Sequence, residues 1–142
     1  MKWRAILRWL LLATALNLAW EIAQLPLYTI FHDGRPEQIA FAVAHCTAGD
    51  ILITLACYLV ASAVTLDLAW SWHRPASGVA VAIVSGVTYT VFSEWLNVSV
   101  RGSWAYTESM PQISGIGLTP LLQWLVVPLV ALCLMRAGNH PT

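Results

Sequence analysis

Three carboxylic acids, Glu21, Asp50 and Glu94, sit inside apolar stretches of this 142-residue chain, and no Lys or Arg lies at a matching position to pair with them. A charge at the centre of a bilayer costs at least about 2.5–3.5 kcal/mol, so an acid persists there only against a partner, a cavity or a substrate. Burial penalises the charged form, and a second acid nearby penalises it further. At least one of the three is therefore expected to hold its proton at neutral pH. A protonated acid beside a counter-base can give a proton to an alkene or epoxide and take one back, which is general acid–base chemistry. Glu21, Glu94 and Asp50 are accordingly the candidate catalytic groups.

Their neighbours repeat at helical spacing. Asn17, Glu21, Gln24 and Tyr28 share one face of a helix; Cys46, Asp50, Thr54 and Cys57 share another; Thr90, Glu94, Asn97 and Arg101 a third. Thr119 precedes Gln123 by one turn. Polar stripes in lipid must turn inward. Inward Asn17, Thr54, Thr90 and Asn97 read first as interhelical hydrogen bonds, which average about 0.6 kcal/mol in such bundles. Trp20, Trp95 and Trp124 adjoin Glu21, Glu94 and Gln123. They read either as packing or as an aromatic wall around the acids, suited to a cation or carbocation through ring-face attraction. Gln24, Tyr28 and Gln123, with Trp20 and Trp95, are the candidate substrate-binding residues on the helices.

The elements that must position these residues follow from composition. The chain is 58% hydrophobic and 10% charged with no formal net charge, against about 25% charged in soluble domains. An all-α, polytopic membrane protein of one domain is expected, an antiparallel four-helix transmembrane bundle. Its helices are read over 5–31, 46–66, 78–98 and 118–135, with Pro26 kinking the first. Lys2, Arg4 and Arg8 precede an apolar run that continues through Trp20 to Phe31, too long for a signal peptide. Lys2, Arg4, Arg8, Arg74 and Arg136 fall on one side and Arg35 and Arg101 on the other, which places both termini in the cytoplasm and the protein in the inner (cytoplasmic) membrane. Trp3, Trp9, Trp70 and Trp72 are expected in the inner aromatic belt; Tyr28, Trp104 and Tyr106 in the outer one. The stretch 39–44 is either an interfacial helix or an extension of the second span. The segment 99–117, with its turn residues and with Trp104, Tyr106 and Met110, is expected to pack as an outer lid, adding Trp104 and Tyr106 to the substrate-binding set.

Other chemistries find little support. No basic stretch exists to neutralise a phosphate backbone, so nucleic acid is not a partner. Cys46, Cys57 and Cys133 lie in apolar runs without CxxC spacing and read as buried packing residues. His45 is a weak metal candidate, since the usual two-His spacing is missing. His32, His73 and His140 read as solvated. No phosphate loop, haem attachment sequence or nucleophile elbow occurs, and no cofactor is expected.

The run Asn17-Leu18-Ala19-Trp20-Glu21 with Gln24 and Pro26-Leu27-Tyr28 resembles a signature of a family of small uncharacterised bacterial four-helix membrane proteins. Gly102-Ser103-Trp104-Ala105-Tyr106, Met110-Pro111 and Gly115 through Gln123 look like its second signature. The Asn-x-x-Trp-Glu pattern is also similar to the segment carrying the proton-donating acid in integral-membrane terpene cyclases, which implies that role for Glu21. An acid followed by Trp-x-Tyr and a Gly/Pro-rich entry to the next helix is similar to small membrane carotenoid cyclases and hydratases, which implicates Glu94. The second acid of those enzymes has no counterpart matched here. Three functions remain open on the sequence: an enzyme acting on an isoprenoid or other membrane lipid, a structural subunit completed by a partner membrane chain, and a small proton- or cation-coupled transporter, the last helped by homo-oligomerisation.

Overall fold

The computed structural model describes residues 2–137, with side chains as far as Met135. The chain is mostly helical. Helix α1 runs Lys2–Gln24 and passes into a 3-10 turn, Leu25–Leu27; α2 is the short Ile30–Asp33; α3 is Pro36–Thr65; α4 is Trp70–His73; α5 is Ala76–Glu94, continued as π-helix over Trp95–Val100; α6 is Leu118–Ala137. Four of the described helices are long and apolar enough to cross a membrane: Lys2–Leu27, Pro36–Thr65, Ala76–Val100 and Leu118–Met135. Helix α1 packs on α3 and α6, and α5 packs on the same two, so the four long helices form a closed ring.

Local sequence explains the boundaries. Pro26 ends the first long helix rather than kinking it: the 3-10 turn gives way to an extended Tyr28, with φ −110° and ψ 143°. The α-helix expected to reach Phe31 therefore stops at Gln24, three residues after Glu21, and its 3-10 continuation stops at Leu27. The second span starts ten residues earlier than the expected position 46. Pro36 supplies a fixed φ at the first helical position, and the Arg35 amide donates to the Gln38 side chain at 2.9 Å, one half of a capping box. The stretch 39–44 is thus an extension of that helix.

The end where α1 begins and α6 ends is tightly packed and aromatic. Trp9, Tyr58 and Trp70 pack on one another with ring centroids 5.2–5.8 Å apart, and Ala61, Ala131 and Met135 fill in around them. Tyr58 donates to the Leu68 carbonyl at 2.9 Å, and the Trp70 indole donates to the Tyr58 carbonyl at 3.2 Å. Trp9 and Trp70, expected in an interfacial belt, are core residues. The turn after α3 tucks α4 between α1 and α6, and Trp70 goes in with it. Trp3 alone of that group is widely exposed. The cysteines also differ from expectation: Cys57 is buried, Cys46 half-buried and Cys133 exposed. Arg136, part of the charge count, and His140 lie outside the residues whose side chains are described.

The opposite end is closed by residues 101–117. Strands β1 (Gln112–Ile113) and β2 (Ile116–Gly117) form a two-residue hairpin. Ser114 and Gly115 both take positive φ, 52° and 82°, the handedness such a loop needs to match strand twist. Tyr28 and Tyr106 form an isolated β-bridge. The Thr29 amide donates to the Ala105 carbonyl at 3.0 Å, and the Thr107 amide to the Leu27 carbonyl at 2.9 Å. Met110 is buried. The lid is packed, and Pro26 frees the very backbone groups that hold it.

His73, expected to be solvated, pairs with Asp67 at 2.7 Å beyond the end of α3. The hydrogen bond from His73 and that from the Ala69 amide hold the Asp67 carboxyl below the usual carboxylate range. A depressed acid stabilises the fold above its unfolded pKa, and that contribution disappears as pH falls through the folded value. Thermal melting in detergent is expected to lose stability on acidification through and below the normal carboxylate range. Asp67→Asn should flatten that part of the profile while lowering the plateau at neutral pH.

Candidate functional site

Between the aromatic end and the lid the ring of helices encloses a cavity of about 820 Å³. Each long helix supplies polar groups to it. Glu21 and Gln24 come from α1, Asp50 from α3, Glu94 and Asn97 from α5 and its π-helical extension, and Gln123 from α6. The spacing of those residues requires this: four helices of apolar composition can satisfy one polar stripe each only by turning the stripes toward a shared interior.

The deepest link is the Gln123 amide nitrogen. It donates to Asn17 Oδ1 at 3.0 Å and to Asp50 Oδ2 at 3.0 Å. Asn17 in turn donates to Thr54 Oγ1 at 3.4 Å. Asn17 and Thr54 thus serve as interhelical ties, leaving Asp50 at the cavity floor. Beside it, Gln24 donates to Glu21 Oε1 at 2.9 Å and accepts from the Trp20 indole at 3.2 Å. Glu21 and Asp50 both line the cavity. Glu94 is served from the lid: Trp104 Nε1 donates to Oε2 at 3.4 Å, and the Tyr106 hydroxyl donates to the same oxygen. The Gly117 amide donates to the Tyr106 oxygen at 3.0 Å. Burial and the bond to Glu94 both push the Tyr106 hydroxyl above its ordinary pKa, keeping it a donor. Burial first, then the charge of Glu94, does the same to Tyr28.

The remaining expected residues divide. Tyr28, Trp104, Gln24 and Gln123 line the cavity. Tyr106 stands behind Glu94, reaching the site through its hydroxyl. Trp20 does not line the cavity and acts on it through Gln24. Trp95 is half exposed and packs on Phe92 at the outer surface. Neighbouring helix residues point about 100° apart, so turning Glu94 inward turns Trp95 away. His45 lines the cavity, exposed and stacked on Phe41. Among the described residues no group of three His, Cys, Asp or Glu converges as metal ligands, so His45 does not join Glu21 and Glu94 in such a set.

Trp124, one of the residues expected either to pack or to form an aromatic wall, does line the cavity, and several further residues join it. Trp124 lies flat over Gly86, where a Cβ would strike the indole; this glycine lets α5 and α6 close on the site. Arg101, exposed, is the only Lys or Arg in the cavity wall among the described residues. It was visible on the Glu94 stripe. Phe41, Gly49 and Tyr89 carry no polar signal that would have marked them. No protein-family model, curated protein or solved structure matches the chain.

Gln123→Leu removes one amide and leaves acceptors on two helices short of a donor. Each buried group left so costs about 1–3 kcal/mol. A lowered melting temperature in detergent is expected, and an unchanged one would mean that Gln123 is not the tie described.

Proposed function

We propose that this is a multi-pass protein of the cytoplasmic membrane, an antiparallel helical bundle with both termini in the cytoplasm, and an enzyme acting on an isoprenoid-like lipid by acid–base chemistry. The carrying observation is a cavity of about 820 Å³ whose wall brings together three carboxyl groups from three apolar helices, with Arg101 its only Lys or Arg among the described residues. Ligand sites of about 300–1,000 Å³, mainly apolar with a few convergent polar groups, suit small organic substrates.

The hydrogen bonds suggest the division of labour. Neighbouring carboxyls such as Glu21 and Asp50 favour holding one proton between them, and Glu21 delivers it to a substrate alkene or epoxide. With an alkene, a C–H bond forms and the adjacent carbon becomes cationic. Tyr28, Trp104 and Trp124 shield that cation with their ring faces. Glu94, held as an acceptor by Trp104 and Tyr106, removes a proton from a neighbouring carbon and restores a double bond. The reaction is a redox-neutral isomerisation or cyclisation, and the proton returns from Glu94 to the Glu21–Asp50 pair. The similarity of the Asn17 to Glu21 run to membrane terpene cyclases supports the same assignment. The transporter reading is weaker, because the polar layer stops at the packed Trp9, Tyr58 and Trp70 cluster rather than continuing through the bundle.

The test compares lipids extracted from the purified wild-type protein with those from Glu21→Gln and Glu94→Gln, by mass spectrometry. A co-purifying isoprenoid-class lipid is expected, its product-to-substrate ratio falling about 10²–10⁴-fold in either variant, the usual share of general acid–base catalysis. Only bulk phospholipid in all three samples, with Glu21→Gln breaking co-purification with another membrane protein, would overturn the reading and favour an assembly subunit.

A further inference from the structure

The cavity also reaches the side of the molecule. Among the residues in its wall, Phe41 on α3 is 69% exposed and Tyr89 on α5 is 47% exposed. Phe41 lies in the second turn of α3, about 8 Å from its start, and Tyr89 lies well inside α5. Tyr89 sits about 20 Å from the start of α5 at Ala76, at about 1.5 Å per residue, well inside the span of a hydrocarbon core about 30 Å thick. Between them the wall is bare: a Cβ built on Gly49 meets nothing within 4 Å. An opening at that depth faces lipid chains and not water.

Resting on the lipid-binding reading above, we propose that Phe41, Gly49 and Tyr89 form a lateral portal between α3 and α5. A single-chain lipid enters through it from the bilayer. Its polar, reacting end meets Glu21, Asp50 and Glu94, and its apolar chain lies over Gly49 and leaves between the two aromatic rings. Substrate then never crosses the lid, which agrees with a lid stitched to α1 by backbone hydrogen bonds. Gly49 is the specificity-determining position, because its missing side chain is the room the chain occupies.

The test uses the full chain in lipid nanodiscs and a farnesyl-length alcohol with a diazirine at the chain end. After photolysis, adducts are mapped by peptide mass spectrometry. Adducts are expected at Phe41 and Tyr89 well above those at Leu52 and Val84, which are exposed on the same two helices but outside the cavity wall. Gly49→Leu should cut the portal adducts about tenfold or more, the scale on which a tight apolar site rejects extra methylenes. Gly49→Ala, whose Cβ meets no protein atom within 4 Å, fills less of that room and should cut them less than Gly49→Leu, and thermal melts of both variants close to wild type serve as the folding control. Glu94→Gln is expected to keep the adducts, so a chain that labels the portal without turnover defeats the proposed reaction and leaves the portal standing. Labelling equal at all four positions and indifferent to Gly49→Leu, or confined to Ser103 and Trp104, would overturn the portal.

Discussion

One side-chain amide, that of Gln123, ties together helices that apolar packing alone would leave free to slide. Between helix surfaces this apolar, packing supplies little preference for one register over another, and polar groups buried without partners are expensive. Gln123 is 2% exposed and donates to groups on α1 and α3 from its place on α6. Any slippage of these helices strands Asn17, Asp50 or both. The same bond that sets the register therefore places Asp50 at the cavity floor, in the wall that also carries Glu21.

The two ends of the bundle solve opposite problems. At the aromatic end Trp9, Tyr58 and Trp70 interlock, and the polar atoms of Tyr58 and Trp70 find backbone partners. At the lid end the helices stand off from one another around open volume. The first eleven residues of α3, as far as Cys46, contain no buried side chain. Pro26 links the two regimes. By stopping α1 short it exposes backbone groups of Leu27 and Thr29, which the lid captures, and the lid in turn carries Trp104 and Tyr106 onto Glu94.

Much of this was legible in the residues. The stripes through Glu21, Asp50 and Glu94 announced their inward faces because helical spacing gathers them on one side of helices that are otherwise apolar. The lid was legible as a packed segment from its aromatic and turn residues. What the chain does not reveal locally is long-range: the bridge from Tyr28 to Tyr106 joins residues far apart in sequence, and nothing near Trp70 distinguishes a belt residue from a core one. Trp95 misled for a simpler reason. It adjoins Glu94 in the sequence, and adjacency on a helix means divergence in space. Gly49 was silent because its contribution is an absent side chain.

The central claim is a blind cavity, capped by the lid, open sideways between α3 and α5, and closed where Trp9, Tyr58 and Trp70 pack. Cys46 and Cys57 lie on the same face of α3; the first is half-buried in the cavity wall, and the second is buried toward the closed end. The direct measurement is modification by a membrane-impermeant cationic thiosulfonate, applied in detergent to variants that each keep one of these two cysteines with the others replaced by alanine. The account predicts rapid modification at Cys46 and protection at Cys57. Equal reactivity at both positions would reveal a polar path running on through the bundle, and would contradict a closed active site in favour of a conduit.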